Sequence, residues 1–295
     1  MKNNLKSGYT LILGHTGYIG KHTYKFFKES LGITNLVGKS CQDIDLTQLS
    51  DVVKLKPYFN SETTLIMFSG IKKQFGDNLD IFLKNMKMIE NLSLLIKEKP
   101  IKRMIYLSSA EVYGETTQDL NITEQTPVNP TSYYGISKFS SECLLQKRFK
   151  SINGQLLILR PTLVYGPDEI GSFYGPLGFI RKVLNNEKIV LWGNGNELRE
   201  FIYIDDIVRI ISEISFTNKE GILNIVSGTS RSFKDIIEII STLNSNIRVD
   251  KKARSKDKVD QAYDNSLLKE FLPSFAFSRL EEGVNNIYKS ELKHE

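Results

Sequence analysis

Short apolar runs alternate with longer helical patterns along the chain. The helical patterns place apolar residues three and four positions apart, as between residues 79 and 96 and between 232 and 243. The apolar runs cover residues 10–13, 35–37, 64–68, 103–107, 156–159 and 222–225. Short continuous runs separated by helices are typical of the buried strands of a parallel sheet. The pattern therefore predicts an α/β fold with a doubly wound parallel sheet.

The first apolar run leads directly into a glycine-rich loop. Gly14, Gly17 and Gly20 have the spacing Gly-x-x-Gly-x-x-Gly, which differs from the Gly-x-Gly-x-x-Gly of the commonest dinucleotide fingerprint. Glycines at a strand–helix turn let the backbone approach a pyrophosphate, whose charge is met by amides at the helix N-terminus. The spacing also fits a tight turn in any α/β protein, but its place after the first strand favours dinucleotide binding. The residues expected at the cofactor are Gly14, Thr16, Gly17, Tyr18, Ile19 and Gly20.

The residues after the second apolar run indicate which dinucleotide binds. A carboxylate at this place would accept hydrogen bonds from the adenosine ribose and mark NAD. The chain instead has Gly38, Lys39 and Ser40, and a cation beside a hydroxyl suits the 2′-phosphate of NADP. We therefore predict NADP binding through Lys39 and Ser40, although an exposed loop lysine fits the same pattern. Asp45 and Leu46 are predicted to lie beside the adenine.

A strand-end serine and a Tyr-x-x-x-Lys motif follow in order. Ser109 comes just after the apolar run at 103–107, and Tyr134 and Lys138 lie one helical turn apart on one face. An ammonium near a phenol lowers the tyrosine pKa, so that Tyr134 can exchange a proton with an alcohol. Ser109 can hydrogen-bond the oxygen on which Tyr134 acts. Surface tyrosines and lysines often have this spacing by chance, but the order of the three features favours a catalytic site.

Composition argues against several classes of protein. The 295 residues include 39 basic and 34 acidic side chains, and no basic block is interleaved with aromatics, so a nucleic-acid partner is not expected. With three histidines, a histidine metal site is not expected either. The two cysteines, Cys41 and Cys143, favour a reducing compartment. No apolar run approaches the roughly 20 residues of a membrane span, so we predict a cytoplasmic protein without a membrane partner.

Longer motifs make the chain resemble the extended short-chain dehydrogenase/reductases of the NAD-dependent epimerase/dehydratase type, whose members mostly modify nucleotide sugars. Besides the glycine loop and the Tyr-x-x-x-Lys motif, the resemblance rests on residues 107–114, 159–167 and 193–206. It implies a Rossmann-type fold with a seven-stranded dinucleotide-binding domain and a smaller C-terminal substrate lobe. The implied domain comprises residues 1–164 and a strand near 221–226, and the lobe comprises residues 165–220 and 227–295.

The resemblance also implies roles for individual residues. Ser109 would hold the reacting oxygen, Tyr134 would be the acid/base, and Lys138 would bind the nicotinamide ribose. Arg199 matches an arginine that binds the substrate pyrophosphate, in keeping with the fit of a guanidinium to phosphate oxygens. Glu111 is expected to contact substrate or to hydrogen-bond nearby backbone. The implied partners are a nucleotide-diphosphate sugar and a second copy of the chain, with the Tyr134 helix in a four-helix dimer interface.

Departures from the family pattern narrow the chemistry. Ala110 stands where related dehydratases have the acid that helps expel a hydroxyl, and where the enzymes that make GDP-fucose have a cysteine. Neither dehydration nor C3/C5 epimerisation is therefore expected. Leu163 replaces an asparagine that many members use for the substrate phosphate, and residues 68–71 replace a His-x-Ala-Ala motif. The reaction that these residues still allow is hydride transfer at a secondary alcohol or ketone.

Two enzyme functions use this remaining apparatus. A reductase would take hydride from NADPH, deliver it to a 4-keto, 6-deoxy sugar nucleotide and release the 4-hydroxy product. A 4-epimerase would keep NAD bound, oxidise C4 and reduce the other face. The lack of an acidic residue directly after the second strand favours the NADPH reductase. A regulator that binds dinucleotide without catalysis is a third alternative, but it would not need Ser109, Tyr134 and Lys138.

Two further segments are predicted to serve the substrate lobe. Residues 171–178 are rich in glycine and form a loop near the sugar, where Phe173 and Tyr174 either cover the ligand or anchor the loop in the core. Residues 251–258 include five basic side chains. One of these cations could assist Arg199 on the phosphates, or the run could be a solvated loop. Asp205 or Asp206 is predicted to cap the helix that follows.

Overall fold

A computed structural model describes residues 8–169, 175–255 and 257–293. The chain forms two compact units. Unit 1 comprises residues up to 114, residues 127–160 and residues 208–223, and unit 2 comprises residues 115–126, residues 161–207 and the residues from 224 onward. Within the described ranges, no helix has the length and apolar content that crossing a bilayer requires. The same ranges contain no group of three or more histidine, cysteine and acidic side chains that could bind a metal ion.

Strands and short helices alternate through most of the chain. The strands are β1 (Thr10–Leu13), β2 (Leu36–Lys39), β3 (Thr64–Met67), β4 (Arg103–Leu107), β5 (Asp119–Ile122), β6 (Gln155–Pro161), β7 (Leu163–Tyr165), β8 (Ile189–Trp192), β9 (Leu198–Arg199), β10 (Phe201–Tyr203), β11 (Gly221–Ile225), β12 (Arg231–Ser232), β13 (Val249–Lys252) and β14 (Gln261–Tyr263). The α-helices are α1 (Tyr18–Glu29), α2 (Leu49–Val52), α3 (Leu79–Glu98), α4 (Tyr133–Ile152), α5 (Pro176–Leu184), α6 (Ile204–Ser215), α7 (Phe233–Leu243), α8 (Ser266–Phe271) and α9 (Leu280–Glu291). Short 3-10 helices lie at Val53–Tyr58, Lys73–Phe75 and Ala110–Tyr113.

A six-stranded sheet has the order β11-β6-β4-β3-β1-β2. The ladders that join β2, β1, β3, β4 and β6 are parallel, and Thr10 of β1 lies opposite Leu36 of β2 and Thr64 of β3. Because parallel strands end at one edge, the loop after β1 and the residues after β4 meet at the same edge of the sheet. The predicted doubly wound α/β fold is confirmed.

The implied seventh strand is absent from this sheet among the described residues. The chain between β2 and β3 instead forms α2 and the 3-10 helix Val53–Tyr58, which contains Pro57. Proline lacks the amide hydrogen that a central ladder requires, so this segment is poorly suited to a sheet strand. β2 is therefore the last strand of the sheet on its side.

A buried arginine at the start of β4 binds the end of α6. The Nη1 atom of Arg103 donates hydrogen bonds to the carbonyl oxygens of Ile214, at 2.9 Å, and Thr217, and its Nη2 atom donates to Lys219. Carbonyls at a helix C-terminus lack partners within the helix and carry partial negative charge, which a guanidinium satisfies. These contacts explain why residues 208–220 belong to unit 1, whereas the sequence placed them in the lobe.

Unit 2 contains several two-stranded ladders. They pair β5 with β14, β7 with β10, β8 with β13 and β9 with β12. The pairing of β5 with β14 draws residues 115–126 into unit 2, although the sequence assigned them to the first domain. The Asp206 carboxylate accepts hydrogen bonds from the backbone amide and hydroxyl of Ser278, at 2.9 and 2.8 Å, and so holds the segment before α9. The aromatic pair Phe173 and Tyr174 lies outside the described residues.

Candidate active site

The glycine loop joins β1 to α1 through backbone contacts that leave no room for side chains. Gly14 has a φ of +86°, and a Cβ atom there would lie 2.8 Å from the Ser69 amide nitrogen. A Cβ atom on Gly20 would lie 2.1 Å from the Gly14 carbonyl oxygen. Such distances are too short for real Cβ contacts, so both positions require glycine. The first turn of α1 therefore packs directly on the loop.

The N-terminus of α1 has features that suit an anion. Gly17 is the N-cap residue, and α1 has neither a side-chain cap nor an acidic residue in its first turn. Thr16 and Gly17 are exposed, and Tyr18 and Ile19 begin the helix. The positive end of the helix dipole favours a phosphate at this point. The loop geometry therefore fits the pyrophosphate of a dinucleotide.

The loop after β2 holds the predicted cation and a carboxylate that the sequence analysis missed. Lys39 ends β2, and its Nζ atom lies 5.5 Å from the centroid of the Tyr58 ring. The backbone amide and the hydroxyl of Ser40 both donate hydrogen bonds to Asp43 Oδ2, each at 2.8 Å. The backbone hydrogen bond first, and then the hydroxyl one, lower the pKa of Asp43. Asp43 is therefore ionised at neutral pH.

Asp45 and Leu46 make contacts within the protein. The Asp45 Oδ1 atom accepts hydrogen bonds from the backbone amide and the hydroxyl of Thr47, at 2.9 and 2.7 Å. Leu46 is buried, and its carbonyl oxygen accepts a hydrogen bond from Asn91 of α3 at 3.0 Å. Both residues thus stabilise the chain between β2 and α2. Their contact with adenine stays a prediction.

The structure brings Ser109, Tyr134 and Lys138 together in unit 1. α4 begins at Tyr133, so Tyr134 and Lys138 follow one another on the same helical face. The Ser109 side chain lies close enough to the Tyr134 hydroxyl to act on its pKa. The Lys138 Nζ atom lies 5.7 Å from the centroid of the Tyr134 ring and donates a hydrogen bond to the Leu107 carbonyl oxygen at 2.7 Å. A serine, a phenol and an ammonium therefore meet at the end of β4.

The pKa of Tyr134 is raised, which corrects the prediction that Lys138 lowers it. Desolvation by the surrounding protein is the largest cause, the Glu111 carboxylate adds to it, and the hydrogen bond with Ser109 acts in the opposite direction. The Lys138 ammonium is directed to a β4 carbonyl and lies 4.9 Å from the centroid of the Tyr106 ring, closer than to the Tyr134 ring. Tyr134 therefore keeps its proton at neutral pH in this state.

The Lys138 ammonium itself is perturbed. Burial lowers the pKa of Lys138 to about 8, Glu142 one turn later on α4 opposes this effect, and Lys72 adds to it. Lys72 follows β3, and its Nζ atom also lies 5.8 Å from the centroid of the Tyr18 ring. Lys72 thus lies between the first turn of α1 and Lys138. No local pattern in the sequence marked it.

The segment after β3 also contacts the start of α4. Glu111 Oε2 accepts a hydrogen bond from the Ser132 hydroxyl at 2.9 Å and lies 3.9 Å from the Lys73 Nζ atom. Asp77 Oδ1 accepts a hydrogen bond from the backbone amide of Tyr134 at 3.0 Å. Lys73 and Asp77 belong to no motif and reach the site only through the fold, so the sequence did not predict them as site residues. Glu111 thus accepts a hydrogen bond from a side-chain hydroxyl at the start of α4, and its expected contacts with substrate or nearby backbone stay predictions.

Arg199 lies in unit 2, where backbone carbonyls bind its guanidinium. Its Nη1 atom donates hydrogen bonds to the carbonyl oxygens of Leu198, at 2.8 Å, and Val259, at 2.7 Å. In the basic run at 251–258, Arg254 forms an ion pair with the buried Glu197 at 2.6 Å. The two carbonyl contacts fix the direction of the Arg199 guanidinium. Its contact with a substrate pyrophosphate stays a prediction.

Comparisons with known proteins agree with this fold. The profile of the NAD dependent epimerase/dehydratase family matches residues 10–225. The dTDP-D-glucose 4,6-dehydratase of Dictyostelium discoideum is 29% identical over 231 residues, which cover 67% of this chain and 53% of that protein. The chain thus spans about half the length of this curated relative.

Solved structures have a similar fold. A UDP-N-acetylglucosamine 4-epimerase from Methanobrevibacter ruminantium M1, in complex with UDP-N-acetylmuramic acid, is 24% identical with a TM-score of 0.82, over 98% of this chain and 99% of that one. MoeE5 in complex with UDP-glucuronic acid and NAD is 22% identical with a TM-score of 0.84, over 98% of this chain and all of that one (100%). At these identities the likeness shows the fold alone.

Proposed function

Because the chain belongs to the NAD dependent epimerase/dehydratase family, we propose that it is a nucleotide-sugar 4-epimerase that uses NAD. The observation that supports this choice most strongly is the pairing of Ser40 with Asp43. Both hydrogen-bond donors of Ser40 are directed to one ionised carboxylate. The relatives named above, which act on or bind nucleotide sugars, support the substrate class.

The Ser40–Asp43 pair favours NAD because of its charge. A 2′-phosphate at Ser40 would have to displace Asp43 from both donors and would be repelled by its carboxylate. A free ribose hydroxyl can instead donate a hydrogen bond to a carboxylate. Lys39 favours NADP instead, because its ammonium would attract the 2′-phosphate. The balance between Lys39 and Asp43 therefore decides the cofactor.

Each site residue would have a separate role in epimerisation. NAD, when bound, supplies the acceptor for the C4 hydride and returns it. Ser109 would hydrogen-bond the C4 oxygen. Tyr134 would take the hydroxyl proton as a phenolate, which requires the positive charge of bound NAD to lower its raised pKa, and it would later give the proton back. Lys138 would hold the ribose next to the nicotinamide, and Arg199 would bind the substrate pyrophosphate. Glu111 would orient the start of α4 through Ser132.

The second candidate is an NADPH-dependent reductase of a 4-keto sugar nucleotide. It is favoured by the raised pKa of Tyr134, because a neutral phenol is the form that protonates an oxygen during reduction. Lys39 favours it as well, through the 2′-phosphate. The two candidates share Ser109, Tyr134 and Lys138. They differ in the cofactor and in the direction of the first hydride transfer.

The surface of unit 1 supports a proposal on assembly. α3 and α4 expose apolar side chains to solvent, among them Leu83, Leu94 and Ile136. We propose that these two helices pair with their copies in a homodimer, as the family resemblance implied. Light scattering on the purified protein measures the assembly state.

A cytoplasmic location is proposed as well, because Cys41 and Cys143 are both free thiols and such thiols persist in reducing compartments.

The first experiment is to identify the nucleotide that the purified protein binds. Mass spectrometry would detect retained nucleotide, and fluorescence titration would compare NADH with NADPH. Retained NAD, together with interconversion of UDP-glucose or UDP-N-acetylglucosamine with its C4 epimer, supports the epimerase. Tight NADPH binding, with oxidation of NADPH by a 4-keto sugar nucleotide, would replace it with the reductase. Nucleotide binding without turnover of either kind would instead favour the regulator.

A further inference from the structure

A buried ion pair lies behind the candidate active site. The Arg160 Nη2 atom lies 2.6 Å from Glu142 Oε2, and Arg160 Nε donates a hydrogen bond to Glu142 Oε1 at 3.1 Å. The two side chains are 3% and 1% exposed. Removing two charges from water is costly, and buried pairs often stabilise a fold no better than apolar residues of the same size. Stability alone therefore does not explain this pair.

The pair contacts the segments that carry the catalytic side chains. The Ser108 hydroxyl donates a hydrogen bond to Glu142 Oε1, and Ser108 is the neighbour of Ser109. Arg160 Nη1 donates a hydrogen bond to the Tyr113 hydroxyl at 2.9 Å, in the 3-10 helix that follows Ser109. Glu142 also lies one helical turn after Lys138 on α4. The carboxylate thus connects the end of β4, the Ser109 segment and the Lys138 helix.

We propose that Glu142, held by Arg160, is a positioning residue of the active site. It fixes the Ser108–Ser109 strand end against α4 and keeps the neighbouring Lys138 side chain in its ammonium form. This inference rests on the proposed role of Lys138 in binding the nicotinamide ribose. Arg160 takes no part in the reaction; it holds the Glu142 carboxylate through two hydrogen bonds. Glu142 lies outside the motifs quoted above, and Arg160 lies in the motif at residues 159–167 without a role having been assigned to it.

Among the described residues that shift the pKa of Lys138, Glu142 is the one that carries a negative charge. From β4, the Tyr106 ring faces the ammonium at 4.9 Å, and from α4 the Tyr134 ring faces it at 5.7 Å. Both phenols have raised pKa values and stay neutral near pH 8. From the segment after β3, Lys72 repels the ammonium, and the Glu142 carboxylate opposes that repulsion. Loss of the Glu142 charge should therefore make Lys138 lose its proton at lower pH.

The test is the pH dependence of NADH affinity, measured by fluorescence between pH 6 and pH 10. In the wild type, affinity should fall as pH rises through about 8, because the neutral amine no longer donates as an ammonium. Glu142→Gln should move this fall to lower pH by about half to one unit. Lys138→Met should bind weakly at every pH, which assigns the titration to Lys138.

A second variant separates positioning from folding. Glu142→Gln leaves the Arg160 charge buried without its partner, so its thermal stability should drop. The double variant Glu142→Gln/Arg160→Gln removes both charges, and should regain stability while the titration stays at the lower pH. Glu291→Gln is the matched control, because it breaks the ion pair that Arg181 makes at 2.6 Å in unit 2. It should leave the titration where it is in the wild type.

The possible results test the role of Glu142 and the role of Lys138 separately. A titration that stays at the wild-type pH in both Glu142 variants would overturn the positioning role of Glu142, while the function proposed above would stand. A wild-type affinity without any fall above pH 8 would remove Lys138 from the ribose, and the inference would fall with that role. A titration that returns to the wild-type pH in the double variant would show that the unpaired Arg160 charge caused the shift, and would also overturn the proposed role of Glu142.

Discussion

Asp77 and the backbone amide of Tyr134 form a hydrogen bond of 3.0 Å across 57 residues of sequence. Tyr134 is the second residue of α4, where amides have no partner within the helix. The Ser132 hydroxyl accepts the next free amide, that of Gly135, at 3.0 Å. The proton-transferring side chain is therefore anchored from two directions, by its own N-cap and by the segment after β3.

Replacement of Asp77 tests this anchor. Asp77→Ala should lower the free energy of unfolding by about 1 kcal/mol, as loss of a capping side chain does, and should reduce turnover because Tyr134 is less well placed. Asn78→Ala is the control. Asn78 caps α3 by accepting the Ile81 amide at 3.1 Å, so its loss should lower stability by a similar amount and leave turnover unchanged. Equal turnover in both variants would contradict the role of Asp77.

Replacement of Tyr134 tests the proton path. Tyr134→Phe should abolish most turnover while NADH binding and thermal stability stay near their wild-type values, because only the phenolic hydroxyl is lost. Steady-state kinetics and fluorescence titration give the two readouts. Tyr133→Phe, one position earlier and 41% exposed, is the matched control and should remain active. Wild-type activity in Tyr134→Phe would remove this residue from the chemistry.

The pH dependence of stability tests the burial of Lys138. Its pKa is about 8 in the folded chain, against 10.5 for a lysine in water, so between these values the unfolded chain binds more protons. Stability from this group therefore rises with pH across that window, and the ammonium is unfavourable below it. Lys138→Met removes the group, so its free energy of unfolding relative to wild type should decrease by up to about 3 kcal/mol from pH 7 to pH 10. Urea unfolding at both pH values measures this difference, and a constant difference would contradict the depressed pKa.

Alanine substitutions in the glycine loop separate folding from cofactor binding. Gly20→Ala should destabilise the protein by about 2 kcal/mol or more, since its Cβ atom would overlap the Gly14 carbonyl oxygen. Gly17 has a φ of −71°, which alanine adopts, and its Cβ atom would lie 3.3 Å from the same oxygen. Gly17→Ala should therefore keep most stability but lose at least about tenfold in NADH affinity, because the methyl group enters the anion cradle. Unchanged affinity would place the cofactor elsewhere.

Replacement of Arg199 tests the substrate site. Arg199→Lys keeps the positive charge but removes the fork that binds two phosphate oxygens at once. The dissociation constant for UDP should rise by about tenfold, and that for NADH should stay unchanged, because the proposed role of Arg199 is on the substrate pyrophosphate and not on the dinucleotide. Calorimetric titration measures both constants. Arg248→Lys, in the same unit and without an assigned role, is the control.

Local features of the sequence were enough to predict the α/β fold, whereas the roles of the predicted site residues stay predictions. Gly20 is required by its contact with the Gly14 carbonyl oxygen in the same loop, so this part of the glycine pattern is local in the chain. Tyr134 and Lys138 lie on one helical face because of their four-residue spacing alone. Interactions over one turn or one loop leave such patterns, and the strands and helices that they predict do form.

Tertiary structure alone decided the electrostatics and the supporting contacts. Tyr134 keeps its proton because burial and Glu111 outweigh Ser109, and no spacing in the chain reveals burial. Asp77 reaches Tyr134, and Arg160 reaches Glu142, across long stretches of sequence. The division of the chain likewise depends on β5 pairing with β14 and on Arg103 binding the end of α6. Residue types and spacings determine which elements can form, whereas desolvation and long-range contacts depend on how those elements pack together.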